Sequence, residues 1–166
     1  MPLPSARASA LPGLTLSILA LIGLSACGQA AAPAPDDTPA LTANEAFVVV
    51  PPGGRDVTLG GAVLEAGASD VSVTGVSTPI AGRVELHTMS MQDGRMQMRP
   101  LDALDIPAGE RRTLARGGDH LMLFDIAPLE PGNLVPLTLT YRTADGREAT
   151  LDVEAEIRPL GDPATE

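Results

Sequence analysis

The sequence predicts an all-β fold, a β-sandwich with Greek-key connections. From residue 46 onward, Val, Thr, Leu and Ile occur in short runs that are separated by Gly, Pro, Asp and Asn. Apolar and polar residues alternate at 71–74 and 137–141, which is typical of a half-buried strand. No stretch between the Gly and Pro residues is long enough and periodic enough to predict a helix. Many short strands at this spacing are typical of a sandwich.

Each predicted strand is a run of strand-forming residues between turn-forming residues. In chain order the strands are expected at 46–50, 56–66, 69–77, 82–91, 94–99, 111–116, 120–127, 134–143 and 146–157. Two turns contain an Asp-Gly pair, Asp93-Gly94 and Asp145-Gly146, which favours the positive φ angles of tight hairpins. We therefore expect a hairpin at each of these two turns.

The N-terminus has the pattern of a secretory signal. Arg7 precedes an apolar stretch at 11–24, which is shorter than the roughly 20 residues that span a membrane. The sequence Leu24-Ser25-Ala26-Cys27 resembles the bacterial lipobox, in which the cysteine is lipidated and becomes the first mature residue. Cys27 is also the only cysteine in the chain, so it is the predicted lipidation site. A plain secretory signal and an uncleaved anchor are the alternatives, and each places the domain outside the cytoplasm.

Composition divides the chain into four parts. Residues 1–26 are predicted to be a lipoprotein signal peptide, and residues 27–44 a lipidated cysteine with a flexible tether rich in Ala and Pro. Residues 45–160 are expected to form the β-sandwich domain, and residues 161–166 a frayed tail. The predicted location is the bacterial cell envelope, with the domain lipid-anchored to a membrane and facing the periplasm or the outer surface.

The charge distribution argues against one class of partner. The net charge is -10, and all eleven basic residues are arginine, with no basic stripe among them. Nucleic-acid binding depends on clustered positive charge, so no nucleic-acid partner is expected. With a single cysteine, the fold must also be stable without an intrachain disulfide.

Soft metal ligands are concentrated in one segment. The two histidines and every methionine except the initiator lie between positions 87 and 122: His87, Met89, Met91, Met96, Met98, His120 and Met122. Imidazole nitrogen and thioether sulfur suit Cu(I), whereas Mg²⁺ and Ca²⁺ prefer oxygen ligands. The segment therefore indicates a protein that handles copper outside the cytoplasm.

A two-residue turn at Asp93-Gly94 would place Met89 opposite Met98 and Met91 opposite Met96. Side chains alternate between the two faces of a strand, so one face would carry His87, Met89, Met91, Met96 and Met98. Such a stripe beside a polar face is equally typical of methionines that pack in the core. The register alone leaves both interpretations open.

The pattern His87-x10-Met98-x21-His120-x-Met122 resembles the metal-binding signature of the PCuAC family of periplasmic copper chaperones. The flanking sequences 84–87, 93–99, 117–123 and 135–139 are similar as well. The resemblance implies a cupredoxin-like Greek-key β-sandwich that binds one Cu(I) at an exposed site. It also implies delivery of copper to respiratory cytochrome oxidase, through a copper-accepting oxidase subunit or a Sco-type thiol protein.

By the same resemblance, the metal ligands are His87, Met98, His120 and Met122. Met89, Met91 and Met96 are left as residues of the core or of the surroundings of the metal. The chain departs from the family at Phe47, where a tryptophan is usual, and it lacks the His- and Met-rich tail that some members have.

Other functions fit the sequence less well. With both histidines assigned as ligands, no imidazole is left as a general base, so an enzyme is not expected. A blue-copper centre needs a cysteine beside the copper, and methionine is a poor ligand for zinc. A copper-sequestering envelope lipoprotein and a structural β-sandwich lipoprotein without metal are the alternatives.

Overall fold

The computed structural model describes residues 39–162. All of them belong to one compact unit that spans residues 37–166. The predicted signal peptide, Cys27 and most of the predicted tether lie outside the described residues, as do the last four residues of the predicted tail. Within the described range, no helix is long and apolar enough to cross a membrane.

The described chain consists of ten strands and one short 3-10 turn at Pro52–Gly54. The strands are β1 Leu41–Val49, β2 Val57–Ala66, β3 Val71–Ser77, β4 Ala81–Gln92, β5 Arg95–Leu101, β6 Leu104–Ile106, β7 Arg111–Leu114, β8 His120–Ile126, β9 Leu134–Thr143 and β10 Glu148–Arg158. The predicted all-β class is confirmed.

The strands follow one another through hydrogen-bonded pairs in the order β5-β4-β8-β2-β1-β10-β9-β3-β6, and β7 pairs with β2. β1 joins the two halves of this order because it pairs antiparallel with β2 and parallel with β10. A bulge between Asn44 and Phe47, with Glu45 at a φ of 52°, interrupts the pairing of β1 with β2 just before the residues of β1 that also pair with β10. The result is the predicted cupredoxin-like Greek-key β-sandwich.

The hydrophobic core lies between the two halves of the sheet. Leu86, Leu121 and Leu123 from β4 and β8 belong to the same buried cluster as Leu137 and Leu139 from β9. Each of these leucines points inward from a strand whose neighbouring side chains point outward. This alternation directs the next residues of β4 and β8 away from the core.

Two features of the fold differ from the prediction. β1 begins at Leu41, four residues before the predicted domain boundary at residue 45, and Leu41 is 1% exposed in the core. The three-residue strand β6 was not predicted, because alternation over three positions is too short to recognise. Its Leu104 and Ile106 are buried, while Asp105 faces outward and accepts a hydrogen bond from Ser72 Oγ at 2.6 Å.

The hairpin of β4 and β5 has the predicted register. Asp93 and Gly94 form its turn with φ angles of 51° and 74°, both in the left-handed region that this turn requires. Met89 pairs with Met98 and Met91 pairs with Met96, as expected from the sequence. The hairpin therefore presents these methionines on one face, next to β8.

Candidate metal site

The two histidines lie side by side on the outward face of the sheet. β4 and β8 are antiparallel, and His87 pairs directly with His120. Their ring centroids are 6.0 Å apart. Leu86 and Leu121, the neighbours of the two histidines in sequence, point into the core, so both imidazoles emerge on the opposite face.

The ring of His120 is fixed in one tautomer. Its Nδ1 lies 2.9 Å from the carbonyl oxygen of Gly118, which can only accept a hydrogen bond, so Nδ1 carries the proton. Nε2 then carries the free lone pair that a metal ion requires. His120 is only 3% exposed, and this burial keeps its ring in place.

The ring of His87 has the opposite tautomer. Its Nε2 lies 2.8 Å from Oε2 of Glu85, and an ionised carboxylate only accepts, so Nε2 donates its proton. Nδ1 is left as a lone pair, and it is buried without a hydrogen-bond partner. Buried polar atoms are rarely left unsatisfied in proteins, so this lone pair is a candidate ligand for a metal ion.

Glu85 is fixed from two sides. Its Oε1 forms an ion pair with Nη1 of Arg83 at 3.0 Å, and the Arg83 guanidinium lies 4.4 Å from the centre of the Phe124 ring. The hydrogen bond from His87 lowers the pKa of the Glu85 carboxyl, and the charge of Arg83 lowers it further. Glu85 therefore stays ionised and continues to accept the His87 proton.

Four methionines lie around His120. Met89, Met96, Met98 and Met122 line a cavity of about 340 Å³ together with His120; its wall also includes Leu59, Arg116 and Gly117. Residues of β2, β4, β5 and β8 thus meet here, because Leu59 pairs with Met122 and Met89 pairs with Met98. The backbone N–H of Met89 also donates to the oxygen of Gly118, which brings the loop before β8 against β4.

The methionines are not part of the core. Met91, Met96 and Met98 are 69%, 59% and 48% exposed, and Met89 and Met122 are half-buried. The sequence left core packing open for Met89, Met91 and Met96, and that interpretation is wrong. Buried leucines of β4 and β8 fill the core in their place.

Of the four sequence-predicted ligands, the structure brings Met98, His120 and Met122 together around one cavity. His87 lies outside the cavity wall, directly across from His120 on the neighbouring strand. Two imidazole lone pairs and two thioethers form a neutral, soft donor set, which is suited to Cu(I). Within residues 39–162, no three His, Cys, Asp or Glu side chains could hold a metal ion together.

Sequence reasoning missed Glu85 and Arg83. Both lie on the same face of β4 as His87, at intervals of two residues, so strand alternation could have identified them. It also missed Leu59, which comes from a distant part of the chain, and Arg116, which lies four residues before His120; the sequence gives no signal for either.

The chain is similar to known proteins over most of its length. Residues 41–155 match the family described as "Putative lipoprotein LpqE-like". A protein of Leifsonia xyli subsp. xyli, "Putative lipoprotein Lxx21020", is 31% identical over 140 residues, which cover 80% of this chain and 82% of the relative.

Two solved structures share the fold. The "Copper-bound PCuAC domain from PmoF2" is 20% identical with a TM-score of 0.56, and the match covers 73% of this chain and 94% of that domain. The Cu(I) form of DR1885 from Deinococcus radiodurans is 30% identical with a TM-score of 0.54, over 75% of this chain and 81% of that protein. The chain belongs to the LpqE-like lipoprotein family, and its resemblance to the PCuAC proteins is confirmed.

Proposed function

We propose that this protein is a copper chaperone of the bacterial cell envelope, which binds one Cu(I) through His87, Met98, His120 and Met122. The observation that supports it best is the lone pair on Nδ1 of His87, which is buried and has no partner. It lies beside a second imidazole whose Nε2 is also left with its lone pair, and beside a cavity lined by thioethers. A soft cation is a partner that each of these groups can bind.

The donor set favours Cu(I) over Cu(II). Four neutral ligands leave the single charge of the ion uncompensated, and a doubly charged ion would be less well stabilised by the same groups. Thioethers need no deprotonation and form no disulfides, so they suit an oxidising compartment. Relatives in this fold are a copper-bound domain and a Cu(I)-bound protein, in agreement with the proposal.

The site also suits release of the metal. Met98 is 48% exposed and lies on the edge hairpin, where a partner can approach it directly. Thiolates of an acceptor could replace the thioethers one at a time, since each exchange leaves the imidazoles in place. We propose a Sco-type thiol protein or a copper-accepting subunit of a respiratory oxidase as the acceptor.

We expect the protein to be lipid-anchored to a membrane through Cys27 and to face the periplasm or the outer surface. Mass spectrometry of the native protein should show a mature N-terminus at Cys27 that carries two or three acyl chains. Membership of a lipoprotein family supports this location. An unmodified mature protein in the soluble fraction would contradict it.

The metal preference can be measured on the purified protein by titration against a competing chromophoric ligand. We expect one tightly bound Cu(I) and much weaker binding of Cu(II) and Zn²⁺. X-ray absorption of the copper form should show both sulfur and nitrogen around the metal, because the proposed ligands are two thioethers and two imidazoles. A first shell of nitrogen and oxygen alone would show that the methionines are not ligands.

Loss of Glu85 is expected to weaken Cu(I) binding although Glu85 does not touch the metal. Glu85→Ala removes the acceptor that keeps the proton on Nε2 of His87, and such partners of a ligating histidine are typically worth about 10–100-fold in affinity. Glu85→Gln should lose less, because its amide oxygen can still accept from Nε2. The measurement is Cu(I) affinity by competition.

The matched control is Glu65→Ala. Glu65 also forms an exposed ion pair, with Arg111 at 2.9 Å, but it lies six residues along β2 from Leu59 and the cavity. We expect its Cu(I) affinity to equal that of the parent. Equal losses in the Glu85 and Glu65 variants would mean that general electrostatics, and not the orientation of His87, sets the affinity.

A further inference from the structure

The four-ligand site leaves two exposed methionines without a role. Met91 and Met96 lie opposite each other next to the Asp93-Gly94 turn, on the same face as Met89 and Met98. Among the described residues, only five large hydrophobic side chains are exposed, and Met91, Met96 and Met98 are three of them. The hairpin thus concentrates apolar thioethers in solvent instead of burying them.

The pairing brings the two sulfur-bearing side chains close enough to share one ion. Residues directly opposite each other on antiparallel strands have Cβ atoms about 4.5–5.5 Å apart, and diagonal neighbours are about 7–8 Å apart. Met96 is the diagonal neighbour of Met89, and both line the cavity that contains His120. The three side chains of Met89, Met91 and Met96 are therefore neighbours on the hairpin, and the long, flexible methionine side chain allows their sulfur atoms to converge on one ion.

The opposite face of the hairpin is polar and separate. Arg99 on that face donates hydrogen bonds to the side chains of Gln92 and Gln97, which hold its guanidinium there. The guanidinium of Arg99 is therefore on the other face of the hairpin from Met91 and Met96, which face solvent. From the turn to the cavity, the methionine face is a continuous series of cross-strand thioether pairs that ends at His120 and Met122.

We propose that Met91, Met96 and Met89 form a second, outer Cu(I) site that accepts copper and passes it to the inner site. The proposal rests on the proposed function, because it assumes that the inner site is loaded with Cu(I). Transfer needs only ligand exchange: the three copper–sulfur bonds of the outer site break as two copper–sulfur and two copper–nitrogen bonds form at the inner site. The coordination number rises from three to four, copper stays Cu(I), and no proton moves. Three neutral thioethers without imidazole should bind more weakly than the inner set, so the metal moves inward.

The test uses purified protein labelled with carbon-13 at the methionine methyl groups, with Cu(I) added from a chromophoric complex. The first equivalent should shift the resonances of Met98 and Met122. The second should shift those of Met91 and Met96, with a lower affinity. In the double variant Met91→Leu, Met96→Leu, the second equivalent should no longer bind, while the first binds as in the parent.

Two controls separate the possible failures. Met122→Leu should weaken the first equivalent but leave the response of Met91 and Met96 to copper, because the outer site does not use Met122. The melting temperature of each variant reports whether the fold is intact, and leucine keeps the bulk of the exposed side chains. If the parent binds no Cu(I) at all, the proposed function itself fails. If it binds one equivalent and Met91 and Met96 never respond, or if the double variant retains the second equivalent, only the outer site is overturned.

Discussion

Replacing Met98 or Met122 by leucine is expected to weaken Cu(I) binding by at least about 100-fold, because each change removes one of four proposed ligands to the metal. Leucine keeps the hydrophobic bulk, and such swaps typically cost less than about 1.5 kcal/mol of stability. Met98 is half exposed and Met122 half-buried, so neither supports the core. Measured on the same samples, Cu(I) affinity by competition should therefore fall while the melting temperature stays close to that of the parent.

The chain contains its own controls for this experiment. Met89→Leu, Met91→Leu and Met96→Leu should leave the affinity for the first equivalent of copper close to that of the parent. His120→Ala should be the most damaging histidine change, because His120 and Met122 present two ligands from one strand. Parent-like affinity in Met98→Leu and Met122→Leu would disprove the four-ligand assignment. A similar loss in all five leucine variants would mean that the hairpin surface, and not individual sulfur atoms, determines binding.

The arrangement of the hairpin could be predicted from the sequence because one turn fixes it. Asp93-Gly94 accepts the positive φ angles of a two-residue turn, and the turn then determines every pair up to His87 and Pro100. The sequence could not show which face of β4 points to the core. Alternation shows that β4 has two faces, but the partner strands determine which of the two faces packs against the core.

Other features could not be predicted because they depend on pairing between strands that are far apart in the chain. The direct pairing of His87 with His120 depends on the register between β4 and β8, which no short turn determines. Strand alternation places Glu85 on the same face of β4 as His87, but the hydrogen bond between them depends on side-chain conformations that the sequence does not give. The early start of β1 depends on long-range pairing, because Leu41 is held by its pairing with Ala66, which is 25 positions away in the chain.

The largest effect on stability is expected for Gly61→Ala. Gly61 lies in β2 and pairs with Phe47. A Cβ atom there would be 2.0 Å from the backbone oxygen of Leu114 and 2.7 Å from two atoms of the Phe47 ring. Leu114 and Phe47 are both buried, so neither can move without disturbing the core. Overpacking typically costs about 1–3 kcal/mol, and a contact with backbone belongs at or above the top of that range.

Gly75→Ala is the matched control, because it makes the same change in another strand, β3. A Cβ atom there would meet only the Cβ of Thr140, at 3.9 Å, which is an ordinary contact. Removing a glycine without strain stabilises by about 0.4–1 kcal/mol, through the lower entropy of the unfolded chain. We therefore expect Gly75→Ala to melt at or slightly above the temperature of the parent, and Gly61→Ala to melt roughly 10 °C or more below it.

Thermal unfolding followed by circular dichroism measures the melting temperatures of the two glycine variants. A parent-like melting temperature for Gly61→Ala would show that β1 and β7 can separate from β2 at little cost.

The Gly61→Ala variant also tests how the fold supports the metal site. β2 carries Leu59, which pairs with Met122 in the cavity wall. Gly61→Ala should lower Cu(I) affinity only to the extent that it unfolds the domain, whereas Met98→Leu should lower affinity with the domain still folded. Copper binding measured well below the melting temperature of each variant separates these two causes, because the folded fraction of Gly61→Ala should then bind copper as tightly as the parent.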